Sequence, residues 1–182
     1  MAVTNKRGVF SLETILERQS DYNWSDISNS FVYDLVSEAS PNTGYFTGGI
    51  NGPSAISTVQ RVDFANDTAT ASPKGPLSEA KRMHSGTGST SYGYLAGQLP
   101  NNTNADRIDY SSDTGTATSK ANVLIDEANR RAAVGNNSYG YWAGGTPNTT
   151  KISRLDFSND GGGGVQKANV NYTRYGLSLI HI

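Results

Sequence analysis

Short runs of aromatic and apolar residues, each closed by glycine, alternate with polar loops along most of the chain. The run S-Y-G-Y-L-A-G at 91–97 is typical of a strand that enters a tight turn. In A-D-R-I-D-Y at 105–110 the side chains alternate, so that Ile108 falls on one face of a predicted strand and Arg107 on the other. A turn rich in serine and aspartate then leads to a more exposed strand at 116–121. The pattern predicts a small unit built from short strands.

The same pattern occurs three times in the same order. A glycine-aromatic marker reads G-Y-F-T-G-G, G-Y-L-A-G-Q and G-Y-W-A-G-G, and it begins at Gly44, Gly93 and Gly140. An arginine-aspartate marker reads R-V-D-F-A-N-D-T, R-I-D-Y-S-S-D-T and R-L-D-F-S-N-D-G, and it begins at Arg61, Arg107 and Arg154. A basic marker reads E-A-K-R at 79–82 and E-A-N-R-R at 127–131. A period of about 47 residues is typical of one four-stranded propeller blade.

Composition supports short strands and narrows the classes of function. The 182 residues include 20 glycines and 10 tyrosines, and only 35% are hydrophobic. This mixture suits strands and tight turns rather than long helices. The net charge of −1 leaves no electrostatic footprint for a nucleic acid, and no apolar run is long enough to span a membrane. The absence of cysteine excludes disulfides, thiolate metal sites and cysteine nucleophiles.

The chain divides into a non-repeating leader at 1–43 and a repeat region at 44–182. Within the leader, F-S-L-E-T-I-L-E-R-Q at 10–19 has apolar residues at near-helical spacing, which predicts a partly helical segment. The leader is expected either to cap the first blade or to dock the array to another molecule. The repeats fall at about 44–81, 82–130 and 131–173, followed by the start of a further unit. The terminal S-L-I-H-I resembles translated adapter read-through, so a C-terminally truncated fragment is expected.

Residues that recur in every unit are expected to hold the units together. The glycine pairs at strand ends should permit close packing, because a Cβ would clash there. Packing between units is expected of the recurring tyrosines, Tyr45, Tyr94 and Tyr141. Pairing with the neighbouring arginine is expected of Asp63 with Arg61, Asp109 with Arg107 and Asp156 with Arg154. A calcium site in segments such as D-F-A-N-D is an alternative, although the spacing does not match an EF-hand loop.

The sequence contains no recognisable set of catalytic, cofactor-binding or metal-ligating residues. His84 and His181, the two histidines, lack the spacing of a zinc site, and no G-x-S-x-G motif marks a serine nucleophile. A sugar-processing propeller enzyme would need carboxylates or arginines that converge on one rim and break the repeat. The sequence shows no such cluster, so it predicts a non-enzyme without a cofactor.

The repeats resemble the kelch family. The matching residues are Arg82 and Arg131 for the family's arginine, Gly48-Gly49 and Gly144-Gly145 for its glycine pair, and Gly97-Gln98 as a degenerate copy of that pair. The aromatic-aspartate step appears with aspartate first, and the tryptophan that the family carries in its last strand is missing. The resemblance covers residues 44–175 and implies an all-β fold of about three four-stranded β-propeller blades, in an open or partial propeller.

The wording of the repeats also resembles that of virion structural proteins of marine tailed bacteriophages, as does the opening N-K-R-G-V-F-S-L-E-T-I at 5–15. This resemblance implies a non-catalytic tail or fibre protein, made in the host bacterial cytoplasm and carried in the virion. Its implied partners are other virion proteins, a host-surface glycan or protein, or further copies of itself, without nucleic acid and without membrane insertion. The alternatives are a cellular kelch module that binds a protein and, less favoured, a carbohydrate-active enzyme such as a sialic-acid mutarotase or a glycosidase.

Overall fold

A computed structural model describes residues 42–99 and 102–177 of the protein. Within these ranges the fold is all-β, with thirteen strands in four small antiparallel sheets and three 3-10 helices of one turn each. The predicted near-helical segment at 10–19 lies outside the described residues, as does nearly all of the predicted leader. No helix in the described part of the chain is long and apolar enough to cross a membrane.

Three of the sheets correspond to the three repeats and are numbered in chain order. Sheet 1 contains β1 (Thr43–Thr47), β4 (Val59–Asp63) and β5 (Ser72–Lys74), with the hairpin β2 (Ile50–Asn51) and β3 (Ser54–Ala55) between its first two strands. Sheet 2 contains β6 (Ser85–Gly88), β7 (Tyr92–Ala96), β8 (Ala105–Asp109) and β9 (Thr118–Lys120). Sheet 3 contains β10 (Ala132–Gly135), β11 (Tyr139–Ala143), β12 (Lys151–Asp156) and β13 (Val165–Asn169).

Sheets 2 and 3 are antiparallel meanders of consecutive strands, and sheet 1 is a meander with the β2–β3 hairpin inserted between β1 and β4. The pairing register repeats as well. The register partners of the recurring tyrosine and arginine are Tyr45 with Arg61, Tyr94 with Arg107 and Tyr141 with Arg154. The predicted strands and the predicted repeat are therefore confirmed. Sheet 1 has three strands within the described residues.

The apolar core consists of two clusters, one between each pair of consecutive sheets. Between sheets 1 and 2 it contains Val59, Leu77, Leu95, Ile108 and Ala117. Between sheets 2 and 3 it contains Tyr94, Ala96, Ala105, Val123, Leu124, Trp142 and Leu155. Alternation along the strands explains this arrangement, because successive side chains of one strand point to opposite neighbours. No ring closure is found among the described residues.

Aspartate begins the turn that follows the long middle strand of each sheet. The Oδ1 atoms of Asp63, Asp109 and Asp156 accept hydrogen bonds from backbone N–H groups two residues ahead, at 2.9, 2.9 and 3.0 Å. Each carboxylate therefore caps a 3-10 helix: Phe64–Asn66, Tyr110–Ser112 and Phe157–Asn159. The expected pairing of these aspartates with the neighbouring arginines is wrong, because the chain turns directly after the aspartate and the turn's free N–H groups take the carboxylate.

Glycines at the strand ends lie where the next repeat begins. Gly48 has φ +56°, and a Cβ there would come within 2.6 Å of the carbonyl oxygen of Lys81. Gly144 has φ +67°, and a Cβ there would come equally close to the carbonyl oxygen of Arg174. Both the left-handed backbone and the close approach exclude larger residues. The packing interpretation of the glycine pairs is confirmed for Gly48, Gly144 and Gly145, whereas a Cβ at Gly49 would meet no atom within 4 Å. The residues after 173 make the contact of a repeat start.

A backbone ladder sets the register between repeats. The N–H of Arg130 donates to the carbonyl of Met83 at 2.9 Å, and the N–H of Gly176 donates to the carbonyl of Arg130 at 3.1 Å. All three residues have positive φ, so they are equivalent. Arg82 and Arg131 are therefore not equivalent, which corrects their assignment to one repeated arginine. The basic markers at 79–82 and 127–131 are one residue out of register, because backbone contacts rather than residue identity align the repeats.

Candidate functional site

The second aspartate of the arginine-aspartate marker joins one sheet to the sheet before it. Asp113 follows β8 of sheet 2 and the 3-10 helix after it, yet its carboxylate contacts three side chains of sheet 1. The hydroxyl of Tyr45 donates to Oδ2 at 2.9 Å, Nη1 of Arg61 lies 2.7 Å from Oδ2, and Nζ of Lys74 lies 3.2 Å from Oδ1. This carboxylate has a donor for each oxygen, so its burial is compensated.

Asp160 makes the same contacts one repeat later. Its Oδ2 accepts from the hydroxyl of Tyr94 at 2.9 Å and from Nη1 of Arg107 at 2.7 Å, while Nζ of Lys120 lies 3.0 Å from Oδ1. A stacked aromatic pair accompanies each carboxylate. The pairs are Tyr45 with Tyr110, at a centroid distance of 5.2 Å, and Tyr94 with Phe157, at 4.7 Å. The expected packing role of the recurring tyrosines is confirmed for the first two units.

The electrostatics of these carboxylates fit a joining role. Burial alone would raise the pKa of Asp160, but the hydrogen bonds from Lys120, Tyr94 and Arg107 outweigh it and hold the pKa below its usual value. Burial likewise acts to raise the pKa of Asp113, and the donors from Tyr45 and Lys74 lower it. Both groups are therefore ionised at neutral pH. The two aspartates of each marker serve different contacts, one within the turn and one across to the preceding sheet.

A second group of polar side chains lies on the segment before β6, on the loop between β7 and β8, and on β8 itself. We call it the loop-end cluster, and it consists of Glu79, Lys81, Gln98, Asn102 and Asp106. Nζ of Lys81 lies 3.0 Å from Oδ1 of Asp106 and 3.6 Å from Oε1 of Glu79. The Gln98 amide donates to Oδ1 of Asn102 at 2.7 Å and to Oε1 of Glu79 at 3.4 Å. The loop-end cluster thus continues from a buried ion pair to a surface carboxylate.

Access differs sharply within the loop-end cluster. Lys81 and Asp106 are almost completely buried, and Asp106 also accepts hydrogen bonds from the N–H and hydroxyl of Ser78 at 2.8 and 2.6 Å. Glu79 keeps 45% of its side chain exposed. Gln98 is buried, and its Oε1 has no hydrogen-bond partner among the described residues. The carboxylate of Glu79 and the amide of Asn102 are the groups that a ligand can reach.

The sequence contained a signal for this cluster that pattern reasoning missed. The backbone register aligns Lys81 with Ala128, Asp106 with Ser153 and Gln98 with Gly145. Three polar residues of sheet 2 therefore stand where sheet 3 has small ones. The expectation that no polar cluster breaks the repeat is wrong. Only the folded backbone shows that residues 79, 98 and 106 meet, since they lie on three separate segments.

His84 occupies a half-buried position between the first two sheets. Its Nε2 lies 2.9 Å from Oγ1 of Thr47, and its Nδ1 is buried without a partner among the described residues. Burial is the main cause that lowers the pKa of His84, and the nearby Lys81 adds to it while Asp106 acts in the opposite direction. His181 lies outside the described residues. In the part of the chain that the structure describes, no three histidine or carboxylate side chains form a group that could hold a metal ion.

Stability should fall as the pH is lowered from about 7 to about 5, because His84 resists protonation only in the folded state. The unfolded chain binds this proton near the ordinary histidine pKa of about 6.5, so unfolding gains a proton below that value. Thermal unfolding followed by circular dichroism measures the slope. His84→Gln should flatten it. Equal slopes in the wild type and His84→Gln would contradict the assignment. Asp113 and Asp160 titrate at lower pH, below the ordinary aspartate value of 3.8.

Comparison with known proteins adds no identification. No family model matches the sequence, and no curated protein matches it. The resemblances to kelch repeats and to phage virion proteins therefore remain predictions from the sequence. The geometry itself supplies two features to explain: the carboxylate bridges between sheets and the loop-end cluster.

Proposed function

We propose that the chain is a non-catalytic structural protein of a tailed-phage virion, in which kelch-like propeller blades form part of a tail or fibre. The repeat wording at 44–175 and the opening at 5–15 support this origin. The observation that carries the non-catalytic part is the use of the recurring charged residues. Asp113 and Asp160 form ion pairs with arginine and lysine side chains of the preceding sheet, so these charged groups join sheets rather than serve catalysis. Function then belongs to the loops and to residues that break the repeat.

The loop-end cluster is the proposed contact for a host-surface glycan. Glu79 supplies an exposed carboxylate, and Asn102 supplies an amide beside it, while the buried Gln98 holds both side chains in place. Carboxylate and amide groups at this spacing suit sugar hydroxyls, which both donate and accept hydrogen bonds. Turnover is not expected, because Asp106 is buried and already bound by Ser78 and Lys81. The cluster thus favours binding over sugar hydrolysis.

Glu79→Gln should weaken binding to the recognised polysaccharide by about tenfold to a hundredfold, because a charge-assisted hydrogen bond contributes roughly 1.5–3 kcal/mol. The measurement is surface plasmon resonance of the full chain against a panel of purified bacterial surface polysaccharides, with reducing-sugar release assayed in parallel. Glu127→Gln is the matched control, since it neutralises another exposed carboxylate outside the cluster. Unchanged affinity in Glu79→Gln, or sugar release by the wild type, would refute the glycan proposal.

The virion assignment has a separate test. Tailed particles produced from the genome that encodes this chain should contain it after gradient purification, as measured by peptide mass spectrometry. Labelling with a specific antibody in electron micrographs should place it on the tail or its fibres. Particles that are complete without the chain would contradict the assignment, whatever the result of the polysaccharide panel.

A further inference from the structure

Two faces of the described array lack the neighbour that every equivalent face has. We call the side of a sheet that packs on the preceding sheet its entry face, and the opposite side its exit face. The entry face of sheet 1 carries Phe46, Phe64 and Asp67. The exit face of sheet 3 carries Tyr141, Arg154 and Lys167. In each joint already described, the exit face of one sheet packs on the entry face of the next. The two faces named here are equivalent to those two partners.

The entry face of sheet 1 carries the aromatic residues that pack between sheets elsewhere, but no described sheet packs on them. Phe46 stands where sheet 2 has Leu95 and sheet 3 has Trp142, both of them buried. Phe46 itself is 67% exposed, and Phe64, the counterpart of the stacked Tyr110 and Phe157, is 59% exposed. Two large aromatic side chains on one surface indicate an interaction site.

Asp67 has the same backbone geometry as Asp113 and Asp160, the two aspartates whose carboxylates bridge consecutive sheets. Its backbone angles, φ −73° and ψ −7°, match those of Asp113 at −74° and 3° and of Asp160 at −71° and −5°. All three residues end the same 3-10 helix, so each carboxylate leaves its sheet in the same direction. Asp113 and Asp160 reach a tyrosine, an arginine and a lysine of the preceding sheet. Asp67 is exposed and has no such group near it among the described residues.

The exit face of sheet 3 offers the matching set of donors. Tyr141 pairs in register with Arg154, as Tyr94 does with Arg107. Arg154 lies over the ring of Tyr139 at 4.4 Å, in the same pose that Arg107 takes over Tyr92 at 4.5 Å. The guanidinium is therefore held ready for a carboxylate. Lys167 is exposed on the last strand, near the place that the largely buried Lys74 and Lys120 hold in the other sheets, at a register shift between β12 and β13.

We propose that the entry face of sheet 1 in one copy of the chain docks on the exit face of sheet 3 in a second copy. Asp67 then binds Tyr141, Arg154 and Lys167, and Phe64 stacks on Tyr141. The occupant is a second copy because the entry face of sheet 1 carries the aromatic pair and the free carboxylate that the joint requires. Charge complementarity supports the match, since one face brings a carboxylate and the other two cations.

This contact is heterologous, because two different surfaces of the same chain meet. Such contacts form a ring where the rotation closes and an open chain where it does not. The contact extends the repeat-to-repeat joint from one molecule to two, and it does not depend on the proposed function.

Sedimentation velocity on the full chain over a range of concentrations tests the proposal. The wild type should associate beyond the monomer, and Asp67→Asn and Arg154→Gln should each raise the dissociation constant about tenfold or more, because each removes one side of the bridge. Thermal unfolding of Asp67→Asn in dilute solution should match the wild type, and that of Arg154→Gln should fall only by the loss of its contact with the ring of Tyr139. Glu127→Gln and Arg174→Gln, which neutralise exposed charges elsewhere, should associate as the wild type does.

A mixture of the two variants provides the decisive arm. Asp67→Asn keeps an intact exit face and Arg154→Gln keeps an intact entry face, so the mixture should form a heterodimer at concentrations where each variant alone is monomeric. A wild type that stays monomeric at its highest soluble concentration would overturn the proposal. So would variants that associate as strongly as the wild type, or a mixture that remains monomeric.

Discussion

Replacing Trp142 by alanine should lower the free energy of unfolding by about 3–5 kcal/mol, the range for removing a large aromatic side chain from a core. Trp142 is completely buried between sheets 2 and 3, and its indole Nε1–H donates to the carbonyl of Ser85 at 3.2 Å. Alanine leaves a cavity in the cluster that joins the two sheets and leaves that carbonyl without its donor. Urea unfolding followed by fluorescence or circular dichroism measures the loss.

Phe46→Ala is the matched control for this prediction. Phe46 holds the same place in sheet 1 that Trp142 holds in sheet 3, but it is mostly exposed. Its replacement should change the free energy of unfolding of the dilute monomer far less than Trp142→Ala does. Equal losses in the two variants would show that the entry face of sheet 1 is covered, and would contradict the described packing.

Asp160→Asn should destabilise the chain by about 2–4 kcal/mol, because it removes the charge that compensates two largely buried cations. Asparagine keeps the size of the side chain, so the loss reports the charge rather than a cavity. Arg107 and Lys120 then remain between sheets 2 and 3 without a counter-ion. The value lies below that of a fully enclosed pair because all three side chains keep some contact with water.

Asp67→Asn controls for the chemistry of this change. It makes the same substitution at the same turn position, where the described residues supply no partner. The dilute monomer should unfold as the wild type does. A loss in Asp67→Asn equal to that in Asp160→Asn would mean that the aspartate stabilises its own turn rather than the joint between sheets.

Much of the fold was predictable because each repeat marks the ends of its strands with glycine and other turn residues. Glycine-aromatic runs gave the strands, and the alternation at 105–110 placed Ile108 and Arg107 on opposite faces, toward the preceding and the following sheet. The recurrence of Tyr45 and Tyr94 indicated packing between units, which the stacked pairs confirm. Local pattern and period were sufficient here, since both depend on short stretches of chain.

The joints were not predictable from spacing alone. Arg107 stands two residues from Asp109, and proximity in sequence suggested that pair, yet the arginine binds Asp160 in the next repeat. The turn decides which carboxylate Arg107 binds. The free N–H groups of the turn bind the carboxylate of Asp109, and Arg107 pairs with Asp160 instead. The loop-end cluster was missed for a related reason, because its members lie on separate segments that meet only when sheets 1 and 2 pack.

A double-mutant cycle between Arg107 and Asp160 tests most directly the claim that each repeat is bound to the preceding one by a carboxylate bridge. The free energies of unfolding of the wild type, Arg107→Gln, Asp160→Asn and the double variant give the coupling energy between the two side chains. The described bridge predicts a coupling of about 1 kcal/mol or more. Losses that simply add, within about 0.3–0.5 kcal/mol, would contradict the bridge and the repeat-to-repeat account built on it.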